Sequence, residues 1–144
     1  TNIYLEELEP VKGAFDFVKN CTLNLFIGSN SMKDRILDGL KIVKLDRYFS
    51  SEQVYSFDMV NKPKPFPDVY LKVINDNNLN KKETIIIEDS SVGVKAGVSA
   101  QVNVVGLTAG GHWHKERSKN ELFDAGAIDI IDDFKKLMPI IEKY

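Results

Sequence analysis

Apolar residues along this chain follow two different spacings. Short continuous runs occur at 23–27 (broken by Asn24), 85–87, 102–107 (broken by Asn103) and 128–131 (broken by Asp129), with Val54-Tyr55 as a weaker fifth. Short runs rich in Ile and Val suit strands buried on both faces, as in a parallel sheet. Between them the spacing is helical. Residues 11–19 place Val11, Phe15 and Val18 on one face, and residues 32–41 place Met32, Ile36 and Leu40 together. Residues 66–77 carry Val69, Tyr70, Val73 and Ile74 behind Pro67, which suits a first helical turn. Residues 91–99 set Val94 and Val98 at i, i+4, and 132–143 carry Phe134, Leu137, Met138 and Ile141. The alternation predicts a doubly wound parallel α/β fold. No repeat, low-complexity tract or linker interrupts it, so one domain is expected over 1–144.

In such a fold ligands sit beyond the carboxyl ends of the strands, so the residues after each run are the ones that matter. The run ending at Gly28 delivers Ser29-Asn30-Ser31 ahead of a helix near Met32. Hydroxyls and free N–H groups at a helix start make a phosphate site, although Ser29 or Ser31 could equally serve as an N-cap. The run 85–87 delivers Glu88-Asp89-Ser90-Ser91 and then Gly93. Adjacent carboxylates at a buried strand end repel and are costly to desolvate. A hard cation such as Mg²⁺ would resolve that cost. The competing reading has Asp89 or Ser90 capping the next helix while Glu88 stays solvated. Gly93 suits close approach of that helix to a neighbour. Residues 61–68 carry Pro63, Pro65 and Pro67 at alternate positions, which predicts an extended, stiff segment presenting one lysine at a fixed point. Its competitor is a rigid loop with solvated lysines.

Composition narrows the partners. A chain of 144 residues can bury a real core. The net charge is −2 with dispersed Lys and Arg, which gives no sign of nucleic-acid or membrane-surface binding. No apolar stretch approaches the roughly 20 residues that cross a bilayer. The residues up to Pro10 mix acids with isolated apolar side chains and read as neither a signal peptide nor a strand. The single cysteine, Cys21, rules out an internal disulfide, so a reducing, cytoplasmic setting is the default expectation.

In chain order, strand-Ser29, Lys64-Pro65-Phe66-Pro67-Asp68 and strand-Glu88-Asp89-Ser90 resemble the second, third and fourth motifs of the haloacid dehalogenase superfamily. The likeness is greatest to its β-phosphoglucomutase-like and sugar-phosphatase branch, and it runs from Pro10-Val11-Lys12-Gly13 to the last helix. The resemblance implies a Rossmann-like core domain and a role for each motif. Ser29 would hydrogen-bond a phosphoryl oxygen, with Asn30 in reach of the same group. Lys64, which heads the Lys-Pro-x-Pro-Asp motif where Lys62 does not, would neutralise phosphoryl charge. Glu88 and Asp89 would hold Mg²⁺. Gly110-Gly111-His112 resembles a glycine-histidine turn of some sugar phosphatases, which makes His112 a candidate substrate contact; Trp113 and His114 are weaker candidates. Two positions depart from the pattern: Pro63 replaces a usual Gly, and Ala100-Gln101 replaces a frequent Ala-Gly.

The family's first motif, a strand ending in Asp-x-Asp that supplies nucleophile and general acid/base, is absent from these residues. Asp132-Asp133 follows an apolar run but lacks the spacing, and no helical cap domain is present. The first central strand of the sheet is therefore expected to be missing, leaving unpaired edges on its neighbours, and Thr1 is not expected to be the natural start. The intact protein is expected to be a Mg²⁺-dependent phosphatase of a small phosphorylated metabolite, a sugar phosphate, acting through an aspartyl-phosphate. The alternatives are a phosphomutase of the β-phosphoglucomutase type, and a non-catalytic phosphate- or metal-binding module or inert fragment. The chain alone is expected to be inactive, and its oligomeric state is left open.

Overall fold

The computed structural model describes residues 2–5, 13–108 and 120–144. Six strands form one sheet, and every neighbouring pair is parallel. They are β1 (Asn2–Leu5), β2 (Asn24–Ser29), β3 (Val54–Ser56), β4 (Thr84–Glu88), β5 (Asn103–Leu107) and β6 (Asp129–Ile131), in the order β3-β2-β1-β4-β5-β6. The helices are α1 (Ala14–Asn20), α2 (Lys33–Ile42), α3 (Asp68–Asp76), α4 (Ser91–Ser99), α5 (Asn120–Ala125) and α6 (Leu137–Lys143). The doubly wound fold is thus as the alternation implies. The chain builds outward from β1 to β3, then returns past β1 to build β4 to β6, so direction reverses between β1 and β4. None of the described helices is long and apolar enough to cross a membrane.

Alternate residues of the strands feed two separate cores. Leu25, Ile27, Val54, Ile85, Ile87 and Val105 pack with Ala14 and Val18 of α1, Leu40 of α2, and Leu137 and Ile141 of α6. Phe26, Tyr55, Ile86 and Val104 pack with Val69, Tyr70 and Val73 of α3, Val94 and Ala96 of α4, and Leu122 of α5. Burial on both faces is what makes the strands read as continuous apolar runs.

The sheet corrects one expectation. Its central position is filled: Asn2–Leu5 lies between β2 and β4, with Ile3 level with Leu25 and Ile85, and Leu5 level with Ile27 and Ile87. The reason is context. Two strands with exposed inner edges offer a ladder on both sides, and Ile-Tyr-Leu are β-favouring types. Four residues followed by two glutamates carry no such signal alone. The strand brings no Asp-x-Asp with it.

α2, α3, α4 and α5 all end in the same turn. A residue of positive φ follows each: Lys44 (63°), Asn78 (52°), Gln101 (65°) and Gly126 (114°). The next N–H in each case reaches back to a carbonyl of the last helical turn: Leu45 to Leu40 (2.8 Å), Leu79 to Ile74 (3.0 Å), Val102 to Gly97 (3.2 Å) and Ala127 to Leu122 (3.1 Å). These are Schellman caps, each closed by an apolar residue that carries the chain toward its next element. Gln101 therefore keeps the cap that Ala-Gly provides elsewhere, at the expense of a side chain in a left-handed conformation.

Tyr55 fastens β3 to the end of α3. Its hydroxyl accepts from Asn77 Nδ2 (3.0 Å) and donates to Asp76 Oδ2 (3.4 Å). Burial pushes this phenol up from its ordinary value, so the hydroxyl keeps its proton.

Two measurements follow from the backbone. Replacing Lys44 or Gln101 with Gly removes the left-handed penalty and outweighs the added freedom of the unfolded chain. Each change should raise unfolding free energy by roughly 0.5–1 kcal/mol in urea melts. Tyr4→Pro deletes a ladder donor in the central strand and should lower it by on the order of 2–3 kcal/mol, with aggregation visible by size exclusion.

Candidate active site

The carboxyl ends of β2 and β4 flank the point where the strand order reverses, and the motif residues gather there. Ser29 closes β2 and is 6% exposed. Its Oγ accepts the N–H of Ser31 at 3.1 Å. The N-cap of α2 is Met32, with no side-chain cap bond, so neither serine caps that helix. The Ser29 hydroxyl shapes the turn after the strand instead, and Asn30 lies exposed in that turn. Ser56, at the end of β3 and level with Ser29, is fully buried, and its Oγ has no hydrogen-bond partner among the described residues. Nothing in the spacing or the motifs marks it.

The proline segment is not extended. Phe66 N–H bonds to the carbonyl of Pro63 at 3.0 Å, and the Lys64–Pro65 peptide is cis, so residues 63–66 form a tight turn. The turn separates the two lysines. Lys62 is exposed and lies over the Phe66 ring at 4.8 Å. Lys64 points inward and is 5% exposed. α3 then starts behind Pro67, with Asp68 in its first turn, where a negative charge meets the positive end of the helix dipole.

Lys64 Nζ lies 3.1 Å from Glu88 Oε2, and both side chains are almost wholly out of water. Tyr70 on α3 donates its hydroxyl to the same oxygen at 2.8 Å. Its ring centroid lies 5.0 Å from the ammonium of Lys64. Glu88 is the last residue of β4 and only 1% exposed. Gly93 faces it from α4: a Cβ there would land on the Glu88 carboxylate. Ser90 caps α4, accepting the Gly93 N–H at 3.1 Å. The competing reading thus holds only in part: Ser90 caps the helix, but Glu88 is not solvated. Asp89 sits beside it, half-buried. His112, Trp113 and His114 lie outside the described residues.

A buried ion pair is weak evidence for stability, because desolvating two charges offsets most of their attraction. No group of three or more His, Cys, Asp or Glu side chains is placed to hold a metal among the described residues. Glu88 and Asp89 remain as adjacent carboxylates, and the cradle left by Gly93 keeps room for one of them. Their donor chemistry fits Mg²⁺, which binds through one or two carboxylates with water and phosphate oxygens completing its shell.

The serine turn, the buried lysine and the carboxylate pair thus stand together beside the reversal of strand order in a doubly wound α/β domain. The chain belongs to the haloacid dehalogenase-like hydrolase family, which it matches over residues 2–107. It is similar to a phosphorylated carbohydrates phosphatase of Thermotoga maritima, with 28% identity over 128 residues, 88% of this chain and 56% of that protein. It is also similar to the pyrophosphatase PpaX of Listeria welshimeri, with 34% identity over 107 residues, 74% of this chain and 46% of the other. Among solved structures, a candidate beta-phosphoglucomutase from Thermotoga maritima superposes with a TM-score of 0.75 at 25% identity, covering 96% of this chain and 61% of that one. The chain spans about half the length of the curated relatives it matches.

The cradle can be checked directly. Gly93→Ala forces a methyl group onto a buried carboxylate. It should lower stability by about 1–3 kcal/mol and displace Glu88 in a crystal structure of the variant.

Proposed function

We propose that this chain is the phosphate- and cation-binding core of a Mg²⁺-dependent phosphatase that acts on a small phosphorylated metabolite, a sugar phosphate. The observation that carries the reading is the buried Lys64–Glu88 pair at the point where the strand order reverses. A phosphoryl group brings more negative charge than one carboxylate, and in a dry site a lysine stabilises that charge far better than in water. Lys64 would meet the phosphoryl oxygens from the α3 side, and the Ser29 turn would offer its hydroxyl from β2. Glu88 and Asp89 would hold Mg²⁺, which when bound neutralises phosphoryl charge.

The nucleophile of this reaction, an aspartate that becomes phosphorylated, would belong to an Asp-x-Asp strand that these residues do not contain. The two curated relatives are named for different phosphate compounds, a phosphorylated carbohydrate and pyrophosphate. That contrast supports a division of labour in which this core handles the phosphoryl group and another part of the protein selects what it is attached to. The first relative favours a sugar phosphate. A phosphomutase is the second reading, favoured by the candidate beta-phosphoglucomutase among the similar structures. It would use the same Ser29, Lys64, Glu88 and Asp89. A phosphate-binding module without turnover is the third.

The 144-residue chain with Mg²⁺ and an aryl phosphate should show no turnover. A protein in which an Asp-x-Asp strand takes the central place of Asn2–Leu5 should hydrolyse the ester, and Lys64→Ala there should lower kcat/KM by about 100-fold or more. Equal activity of Lys64→Ala and wild type would sink the reading. Isomerisation of hexose phosphates without net release of phosphate would select the phosphomutase.

A further inference from the structure

We propose that Tyr70 is a positioning residue that holds the Glu88 carboxylate in the orientation in which it binds a cation. The proposal rests on the reading of Glu88 as a Mg²⁺ ligand, and adds a residue that neither the motifs nor the helical pattern marks as functional.

Among the described residues, Lys64, Tyr70 and Gly93 all meet this carboxylate. Lys64 Nζ and the Tyr70 hydroxyl both reach Oε2, at 3.1 and 2.8 Å. The Cβ-free surface of Gly93 lies against the whole group. A glutamate has three side-chain torsions, so orienting it carries an entropic cost that its neighbours must offset. Lys64 is a poor sole anchor. Its ammonium ends a flexible stem, and it is the group an incoming phosphoryl oxygen would attract. Tyr70 has the opposite character. It is 1% exposed, packed within the core formed with α3 and α4, and its hydroxyl rides on a rigid ring with two torsions. A phenol is also neutral. It orients the carboxylate without adding to the positive charge that Lys64 already places at 3.1 Å. A second lysine in its place would add a charge that repels a cation.

The same side chain touches the other charge of the pair. The face of the Tyr70 ring lies 5.0 Å from Lys64 Nζ, a cation–π distance, while its edge hydroxyl meets Glu88. One aromatic residue on α3 therefore braces both members of the site and ties α3 to the end of β4.

The test is calorimetric titration of the 144-residue chain with MgCl2, comparing wild type, Tyr70→Phe and Tyr55→Phe. Phe keeps the ring and its packing at either position and removes only the hydroxyl. Tyr55 serves as the control because its hydroxyl bonds lie to Asp76 and Asn77 rather than to Glu88. Tyr70→Phe should weaken Mg²⁺ binding by about 10-fold, the usual effect of losing a hydrogen bond to a ligating group, while Tyr55→Phe leaves it unchanged. Unchanged affinity in Tyr70→Phe, or an equal loss in both variants, would overturn the proposal. If wild type takes up no Mg²⁺, the metal reading of Glu88 fails separately. Crystal structures of wild type and Tyr70→Phe then decide the positioning role: a rotated Glu88 carboxylate in the variant upholds it, and an unmoved one overturns it.

Discussion

A strand paired on both edges and covered on both faces can turn to water for none of its backbone groups, so every one must find a partner in the sheet. That constraint governs this molecule. The central strand, Asn2–Leu5, satisfies β2 on one side and β4 on the other, and the remaining strands add outward from it. Because all pairs are parallel, each connection must cross a face, which puts α1, α2 and α6 on one side and α3, α4 and α5 on the other. It also aligns the carboxyl ends of the strands along one edge of the sheet. The reversal of strand order beside β1 falls at the ends of β2 and β4, where the serine turn and the carboxylates stand.

The chemistry is held by groups that contribute little to stability. Lys64 and Glu88 are both withdrawn from water, and their attraction is largely offset by the cost of desolvating them. What keeps them there is the surrounding geometry. A turn closed between Pro63 and Phe66 aims Lys64 inward, Gly93 leaves the space that Glu88 occupies, and Tyr70 donates to the carboxylate from a rigid position on α3. The scaffold elements are correspondingly well terminated, with four helices ending in the same cap among the described residues. The proposed phosphatase reading draws on such a frame, because positioning and charge stabilisation supply most of the rate of phosphoryl transfer.

Much of this was legible in the residues. The runs at 23–27, 85–87, 102–107 and 128–131 all fall on strands, and the weak signal at Val54-Tyr55 marks an edge strand. The Glu88-Asp89-Ser90 segment shows why competing readings can coexist. Ser90 has the local geometry of a cap, whereas the burial of Glu88 depends on α3 and α4 closing over it. The spacing of prolines implied an extended segment, but alternation of Pro is equally compatible with a turn, and only the hydrogen bond to Pro63 distinguishes them. Tyr70 reads as one member of the α3 apolar stripe, which it is; nothing in a helical period reveals that its hydroxyl ends at a carboxylate 18 residues away.

By itself, the sequence determined the properties that local physics controls. These are the strand and helix alternation, the burial of both sheet faces, and the order of a serine, a lysine and two carboxylates after successive elements. Burial periodicity and cap chemistry act over a few residues and so leave a mark in a few residues. The tertiary structure decided the rest. It made a strand of Asn2–Leu5 by offering two edges at once, set Lys64 against Glu88, and brought the Tyr70 hydroxyl to the same carboxylate. Each of these depends on contacts between segments distant along the chain, whose free energy exists only when both sides are already in place.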